Sequence, residues 1–225
     1  PKDIVAGDFY WMHVTGQDEN STDHSVTKES VVLIASCDCT GHGVPGALVS
    51  VVCHDALNRA VREFKLTKPS DILTKTRELV IGAFERSEKD VNDGMDISLC
   101  AIDFYNMKLE FAGANTPMIL MQNEKQIELK ADSQPIGKFF HEMPFTNHTV
   151  DIKKGDTIYL YTDGFGDQFG GPSGKKFKRS QLKELIKKIA GKPMLEQQKS
   201  LLAAFENWRG DMEQIDDVSV IGVRI

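Results

Sequence analysis

Five carboxylates stand beside glycines or at the ends of predicted strands. They are Asp8 in GDFYW, Asp38 in CDCTGHG, Asp163 in YTDGFGD, and Asp216 with Asp217 in IDDVSV. An ionised carboxylate in such an apolar setting is costly unless it is paired or bound to a cation. Oxygen ligands of this kind suit hard divalent ions such as Mg²⁺ and Mn²⁺. One such aspartate alone would be a turn residue, but the four motifs together indicate a metal site.

The glycines that follow Asp38 raise a second possibility. Gly41, Gly43 and Gly46 have the G-x-G-x-x-G spacing of a dinucleotide-binding turn, after a predicted strand and before a predicted helix. That fold requires a parallel strand after the helix, with an acidic residue about 20 residues beyond the glycines. Here a second helix follows, and hairpins join the later strands. The pattern therefore argues against a nucleotide-binding oxidoreductase.

The spacing of apolar residues predicts a single α+β domain over residues 1–225. Helices are predicted over 47–64, 72–84, 180–190 and 194–208, the second with Ser70 or Asp71 as its cap. Strands are predicted over 4–14 and 31–38 with a polar hairpin connection over 15–30, then as an antiparallel meander from residue 97 to residue 162, and last over 217–225. The carboxylates thus fall at strand ends, far apart in the chain.

Composition limits the classes of function. A hydrophobic content of 40% and a charged content of 27% are ordinary for a globular protein. A net charge of -6 argues against nucleic acid as a partner, and no apolar run is long enough to insert into a membrane. The four cysteines form no C-x-x-C pair, so we expect buried, reduced thiols and a cytoplasmic protein. Because the chain begins without Met, we expect it to be part of a longer protein.

The motifs GDFYW, DCTGHGVPGA, AGANTP, LYTDGFGDQ and QIDDVSVIGV occur in one order along the whole chain. In order and spacing they resemble the SpoIIE/RsbU-like branch of the metal-dependent (PPM) protein phosphatases, relatives of the type 2C serine/threonine phosphatases. The resemblance implies an αββα sandwich, in which two stacked antiparallel sheets are flanked by helix pairs. It also implies a C-terminal output domain behind a fused upstream sensor or regulatory domain.

The resemblance assigns roles to the carboxylates. Two Mn²⁺ or Mg²⁺ ions are expected, bridged by Asp38, with Asp8 and the main-chain carbonyl of Cys39 at one ion and Asp163 and Asp216 at the other. Asp38 and Asp163 are the expected catalytic residues.

Three further residues are expected to support these ligands. Asp217 is expected behind the metal ligands, although its role and that of Asp216 could be exchanged. Asp167 lies one helical turn beyond Asp163 and is expected to hold a metal-bound water. His42 is expected to hydrogen-bond within its loop, with a role as general acid as the alternative.

The implied activity is hydrolysis of phosphoserine or phosphothreonine on a partner protein, a small anti-sigma-factor antagonist, by a metal-bridging hydroxide. The family also implies that the first two helices act as a switch. The alternative is a catalytically weak or silent phosphoprotein-binding module on the same scaffold.

Other polar residues received structural interpretations. Asn115 is expected to fix a turn before Pro117, and Asp96 to be a strand-end residue. The run from Lys175 to Lys192 carries eight basic residues and one acidic residue. Such a run is usually a solvated helix face, and the alternative is a surface that attracts an acidic phosphoprotein.

Overall fold

The computed structural model describes residues 1–16, 30–85 and 93–225. The helices are α1 (Gly43–Arg62), α2 (Pro69–Phe84), α3 (Gly164–Asp167), α4 (Arg179–Ile189) and α5 (Met194–Arg209). The strands are β1 (Phe9–Val14), β2 (Val32–Cys39), β3 (Met95–Asp103), β4 (Lys108–Ala114), β5 (Met118–Gln122), β6 (Lys125–Leu129), β7 (His148–Asp151), β8 (Thr157–Tyr161), β9 (Phe169–Gly170), β10 (Lys175–Lys176) and β11 (Val220–Arg224).

Two antiparallel sheets contain most of the strands. The first has the order β1-β2-β3-β4-β7, and the second has the order β11-β8-β5-β6. Strands β9 and β10 pair separately. Although α1 and α2 lie between β2 and β3 in the chain, these two strands are antiparallel neighbours. The glycine-rich turn after β2 therefore does not belong to a parallel β-α-β unit, which excludes the dinucleotide-binding fold.

The two sheets stack face to face over an apolar core. Because successive strand residues point to opposite faces, Ile34 of β2 and Ile102 of β3 face the second sheet, whereas Leu33 and Leu99 face the helices. The second sheet contributes to the same core from its inner face, with Met118, Leu120, Leu129, Ile158 and Leu160. The space between the sheets is thus filled by side chains from both of them.

A helix pair covers the outer face of each sheet. Helices α1 and α2 bury Leu57 and Leu73 against the first sheet. Helices α4 and α5 pack on the second sheet through Ile186 and Phe205, around Tyr159. This four-layer arrangement confirms the predicted αββα sandwich. Among the described residues, no helix has the length and apolar character needed to cross a membrane.

Several predicted element boundaries were wrong. Strand β1 begins at Phe9 rather than at Ile4, whose side chain is fully exposed. Helix α1 begins at Gly43 rather than at residue 47, and Pro45 lies in its first turn as predicted. Helix α2 begins at Pro69, so Ser70 and Asp71 lie inside its first turn and neither is the cap.

Helices α4 and α5 agree with the sequence prediction to within one residue at each end. The short elements α3, β9 and β10 were not predicted, because two to four residues are too few to show a periodicity. Strands β1 and β2 pair antiparallel as predicted. Most of the hairpin connection predicted between them, residues 17–29, lies outside the described residues.

Truncation of Leu160 tests the core between the sheets. Leu160 is fully buried there, so Leu160→Ala is expected to lower the free energy of unfolding by about 2–5 kcal/mol. Leu202→Ala on α5 removes the same atoms from a side chain that is 60% exposed, and it should change stability little. Urea denaturation measures both variants. Equal stabilities would contradict a core shared by the two sheets.

Candidate active site

Four polar side chains lie in a row across the ends of four adjacent strands of the first sheet. Asp38 of β2 is directly opposite Asp96 of β3. Phe9 pairs with Cys37, so Asp8, the residue before β1, continues the row beside Asp38. On the other side Asn115 follows β4, and its Nδ2 donates a hydrogen bond of 2.8 Å to Asp96 Oδ1. One end of this sheet therefore carries three neighbouring carboxylates.

The second sheet brings two more carboxylates to the same end. Thr162 and Ser219 extend the pairing of β8 with β11 by one residue, through backbone hydrogen bonds. Beyond them lie Asp163, after β8, and Asp216, before β11. Asp38, Asp96, Asp163 and Asp216 line one cleft of about 250 Å³. The structure thus brings together carboxylates that are up to about two hundred residues apart in sequence.

The carboxylates of the cleft repel one another. Burial, together with the charges of Asp8 and Asp163, raises the pKa of Asp38 well above its usual range. Burial also raises the pKa of Asp8, and a hydrogen bond from Thr162 opposes that shift. Desolvation and the charges of Asp167 and Asp216 raise the pKa of Asp163, whose carboxyl accepts a hydrogen bond from that of Asp38. Without a counter-charge, this site favours protonated carboxyls.

The donor set fits a divalent cation, although the side chains do not close around one point. Among the described residues, no group of three His, Cys, Asp or Glu side chains is spaced to hold a metal ion. Because like charges repel, carboxylate oxygens are not expected to converge on one point unless a cation lies between them. However, Asp8 Oδ2 is buried without a hydrogen-bond partner, which costs free energy unless an ion or a water molecule binds to this oxygen. Carboxylate oxygens from both sheets, next to such an atom, suit Mg²⁺ or Mn²⁺.

Asp217 is buried and ties the N-terminal segment to the site. Its Oδ1 accepts a hydrogen bond of 2.7 Å from the backbone nitrogen of Lys2, and its Oδ2 accepts one of 2.8 Å from the backbone nitrogen of Gly7. Both carboxylate oxygens are therefore engaged by the segment that leads into Asp8. Asp217 does not line the cleft, and its expected role behind the metal ligands stays a prediction.

His42 is held by the same N-terminal segment. Its Nδ1 lies 2.8 Å from Asp3 Oδ2, and its Nε2 lies 3.1 Å from Lys2 Nζ. Because a lysine ammonium only donates, Nε2 is the acceptor and we assign the ring proton to Nδ1. His42 lines the cleft at the start of α1. Its hydrogen bonds go to the N-terminal segment rather than to its own loop, and its role stays a prediction.

The expected roles of Asp167 as holder of a metal-bound water and of Cys39 as a carbonyl ligand stay predictions. The Oδ2 atom of Asp167 accepts a hydrogen bond of 2.7 Å from Lys176 Nζ, and its charge acts on Asp163. Cys39 lines the cleft, and its thiol is buried and hydrogen-bonded to that of Cys53. All four cysteines are buried and free, as predicted.

The glycines near the site allow close backbone approaches. A methyl group on Gly46 would lie 2.2 Å from the carbonyl oxygen of Gly41. One on Gly164 would lie 1.9 Å from the carbonyl oxygen of Asp217. Contacts this short are possible only for glycine. The glycine spacing after Asp38 therefore serves to pack the turn beside the cleft.

Asp96 is a cleft residue that the sequence interpretation missed. It was expected to be a plain strand-end residue, but it faces the cleft opposite Asp38 and is held by Asn115. Asn115 does form the expected turn, with a left-handed φ of 57°. The sequence showed that Asp96 alternates with Ser98 and Cys100 along its strand, so that the three share one face. It did not show that Asp96 pairs with Asp38 on the neighbouring strand.

The family described as Stage II sporulation protein E (SpoIIE) matches residues 28–225. The SiaA-PP2C domain of Pseudomonas aeruginosa is 29% identical with a TM-score of 0.84, over 100% of this chain and 83% of that chain. The PP2C phosphatase domain of SpoIIE from Bacillus subtilis is similar in fold, with 18% identity and a TM-score of 0.71, over 99% of this chain and 59% of that chain.

Phosphoserine phosphatase RsbP of Bacillus subtilis (strain 168) is 23% identical over 190 residues, which are 84% of this chain and 44% of RsbP. The chain thus spans less than half the length of that curated relative. The family match over most of the chain and the shared four-layer architecture lead to one conclusion: the chain belongs to the SpoIIE family and has the fold of a PP2C-type phosphatase domain.

Proposed function

We propose that this domain hydrolyses phosphoserine or phosphothreonine on a partner protein with two Mn²⁺ or Mg²⁺ ions. One observation carries the proposal. Carboxylates from the ends of both sheets meet in one cleft, and a buried oxygen of Asp8, the neighbour of Asp38 on the adjacent strand, lacks a partner. Asp8, Asp38 and the main-chain carbonyl of Cys39 would hold one ion. Asp38, Asp163 and Asp216 would hold the other.

Bound divalent ions would supply an activated water and would neutralise the oxygens of the phosphoryl group. The residues of the chain supply position and charge. Asp38 lies between the carboxylates of both sheets, which suits a residue shared by two ions. Asp216 Oδ1 accepts a hydrogen bond of 2.9 Å from the backbone nitrogen of Asp217, which fixes the orientation of that carboxylate. Geometry of this kind contributes to catalysis through preorganised electrostatics.

The substrate class follows from the cleft and from the relatives. The cleft opens at the end of the sandwich, and Asp163 is exposed on its wall, so a phosphorylated side chain on a protein surface has access. RsbP is described as a phosphoserine phosphatase. From the family resemblance we further propose that the partner is a small anti-sigma-factor antagonist and that a regulatory domain accompanies this one in a cytoplasmic protein.

Replacement of the central carboxylates tests the proposal. Asp38→Asn and Asp163→Asn are each expected to lower Mn²⁺-dependent phosphate release from a phosphoserine peptide by at least about a hundredfold. Calorimetry should show weaker Mn²⁺ binding in both variants. Because each change also removes repulsion in the cleft, the melting temperature without added metal should stay equal or rise.

Asp211→Asn is the matched control, because it removes the same charge from an exposed residue just after α5. It should leave phosphate release unchanged. Full activity in both cleft variants would refute the metal assignment. Mn²⁺ binding without any phosphate release by the unmodified chain would favour a silent phosphoprotein-binding module instead.

Asp217→Asn tests how Asp8 is positioned. Asparagine keeps one acceptor oxygen, so its NH2 group lies opposite the second of the two backbone nitrogens, and we expect a loss of about 1–3 kcal/mol in the free energy of unfolding. Hydrogen exchange at the Gly7 amide should accelerate, and the affinity for Mn²⁺ should fall about 10–100-fold. Unchanged exchange at Gly7 together with unchanged Mn²⁺ affinity would show that Asp217 does not position Asp8.

A further inference from the structure

Arg179 is an exposed cation beside α3, the short helix that begins directly after Asp163. It is the first residue of α4, and short contacts fix its backbone beside α3. A methyl group on Gly166 of α3 would lie only 3.1 Å from the backbone nitrogen of Arg179. The preceding residue, Lys178, donates a backbone hydrogen bond of 2.6 Å to the carbonyl oxygen of Gly166. Because α3 directly follows Asp163, this packing brings Arg179 close to the cleft.

The turn that places Arg179 is strained. Lys178 has φ of 75° and ψ of 141°, a conformation that residues other than glycine rarely adopt. Strain of this kind persists where the surrounding structure enforces it, and it clusters at functional sites. Here the Lys178–Gly166 hydrogen bond and the close packing of α3 on α4 enforce it.

The charge of Arg179 acts on carboxylates from both sheets. Burial raises the pKa of Asp96 in the first sheet, and desolvation raises that of Asp163 beside the second. The charge of Arg179 opposes both shifts. Yet within the described residues, no carboxylate lies within 4 Å of the guanidinium, and no hydrogen bond engages it. Its donors therefore stay available to a ligand.

Neighbouring cations of the same basic segment are already paired. Lys176 forms an ion pair of 2.7 Å with Asp167. Lys183 on α4 is paired with Glu128 of β6. Lys176 and Lys183 therefore hold the surface together through their ion pairs, whereas the side chain of Arg179 is exposed next to α3.

We propose that Arg179 binds the phosphoryl group of the substrate at the rim of the cleft. This inference rests on the proposed phosphatase function and names a residue that recognises its substrate. Carboxylates line the cleft, so a phosphate dianion needs donors besides the metal ions. The guanidinium forms bidentate, charge-assisted hydrogen bonds with phosphate oxygens, which a lysine ammonium does not reproduce.

Inorganic phosphate is the probe for this site. Calorimetric titration of the Mn²⁺-loaded chain with phosphate should give an affinity that Arg179→Gln weakens about 10–100-fold. Arg179→Lys keeps the positive charge but lacks the paired planar donors of the guanidinium. Its phosphate affinity should therefore lie between those of the wild type and Arg179→Gln. KM for a phosphoserine peptide should rise in the same order. The melting temperature should stay unchanged, and the affinity for Mn²⁺ should not fall, because Arg179→Gln removes a positive charge that acts on Asp163.

Lys188→Gln is the matched control, because it removes one exposed positive charge from the last turn of the same helix. It should leave phosphate affinity unchanged. Equal phosphate affinities in wild type and Arg179→Gln would overturn the proposal, and so would the absence of phosphate binding by the wild type. A parallel loss of Mn²⁺ affinity would also overturn it, since Arg179 would then act by neutralising the carboxylates.

The measurements separate this inference from the function on which it rests. If the wild type hydrolyses the peptide and Arg179→Gln changes neither phosphate affinity nor KM, only the role of Arg179 is contradicted. Arg179-dependent phosphate binding without hydrolysis by the wild type would contradict only the phosphatase function.

Discussion

Repulsion among carboxylates at one end of a two-sheet sandwich is the constraint on which this site depends. Directly opposed like charges destabilise an antiparallel pair, and Asp38 faces Asp96 in that way. Asp8 beside them and Asp163 from the other sheet add to the repulsion. A fold keeps such an arrangement only if the rest of the structure holds the strands in register. The same repulsion would be relieved by the divalent cations proposed above and would add to their free energy of binding.

The side chains between the two sheets change from apolar to polar along the strands that lead to the site. On β2 the inward residues run from Ile34 through Ser36 to Asp38, and on β3 from Cys100 through Ser98 to Asp96. The two serines pair across the strands, and within the described part of the chain their buried hydroxyls lack hydrogen-bond partners. The apolar core thus fixes the distance between the two sheets. The polar cleft lies at the end of the same strands, so the strands rather than a loop set its position.

Both ends of the chain meet at the cleft. Asp217 near the C-terminus accepts hydrogen bonds from the backbone of Lys2 and Gly7. The same N-terminal segment contacts His42 at the start of α1 and then presents Asp8 to the cleft. The placement of Asp8 therefore depends on contacts more than two hundred residues apart in sequence. Any displacement of this segment would therefore move Asp8, a ligand of the proposed metal site.

The sequence by itself determined the four long helices, most of the strands and the carboxylates to consider for the site. The four long helices follow from local apolar periodicity, and Asp38 and Asp163 were found because each ends an apolar strand before a glycine. Tertiary structure alone decided that β4 and β5 belong to different sheets although only three residues separate them. It also decided that Asp96 faces Asp38 and that Arg179 stands beside the cleft. Periodicity depends on neighbours in the chain, whereas sheet membership and register depend on packing between distant segments, which no local pattern records.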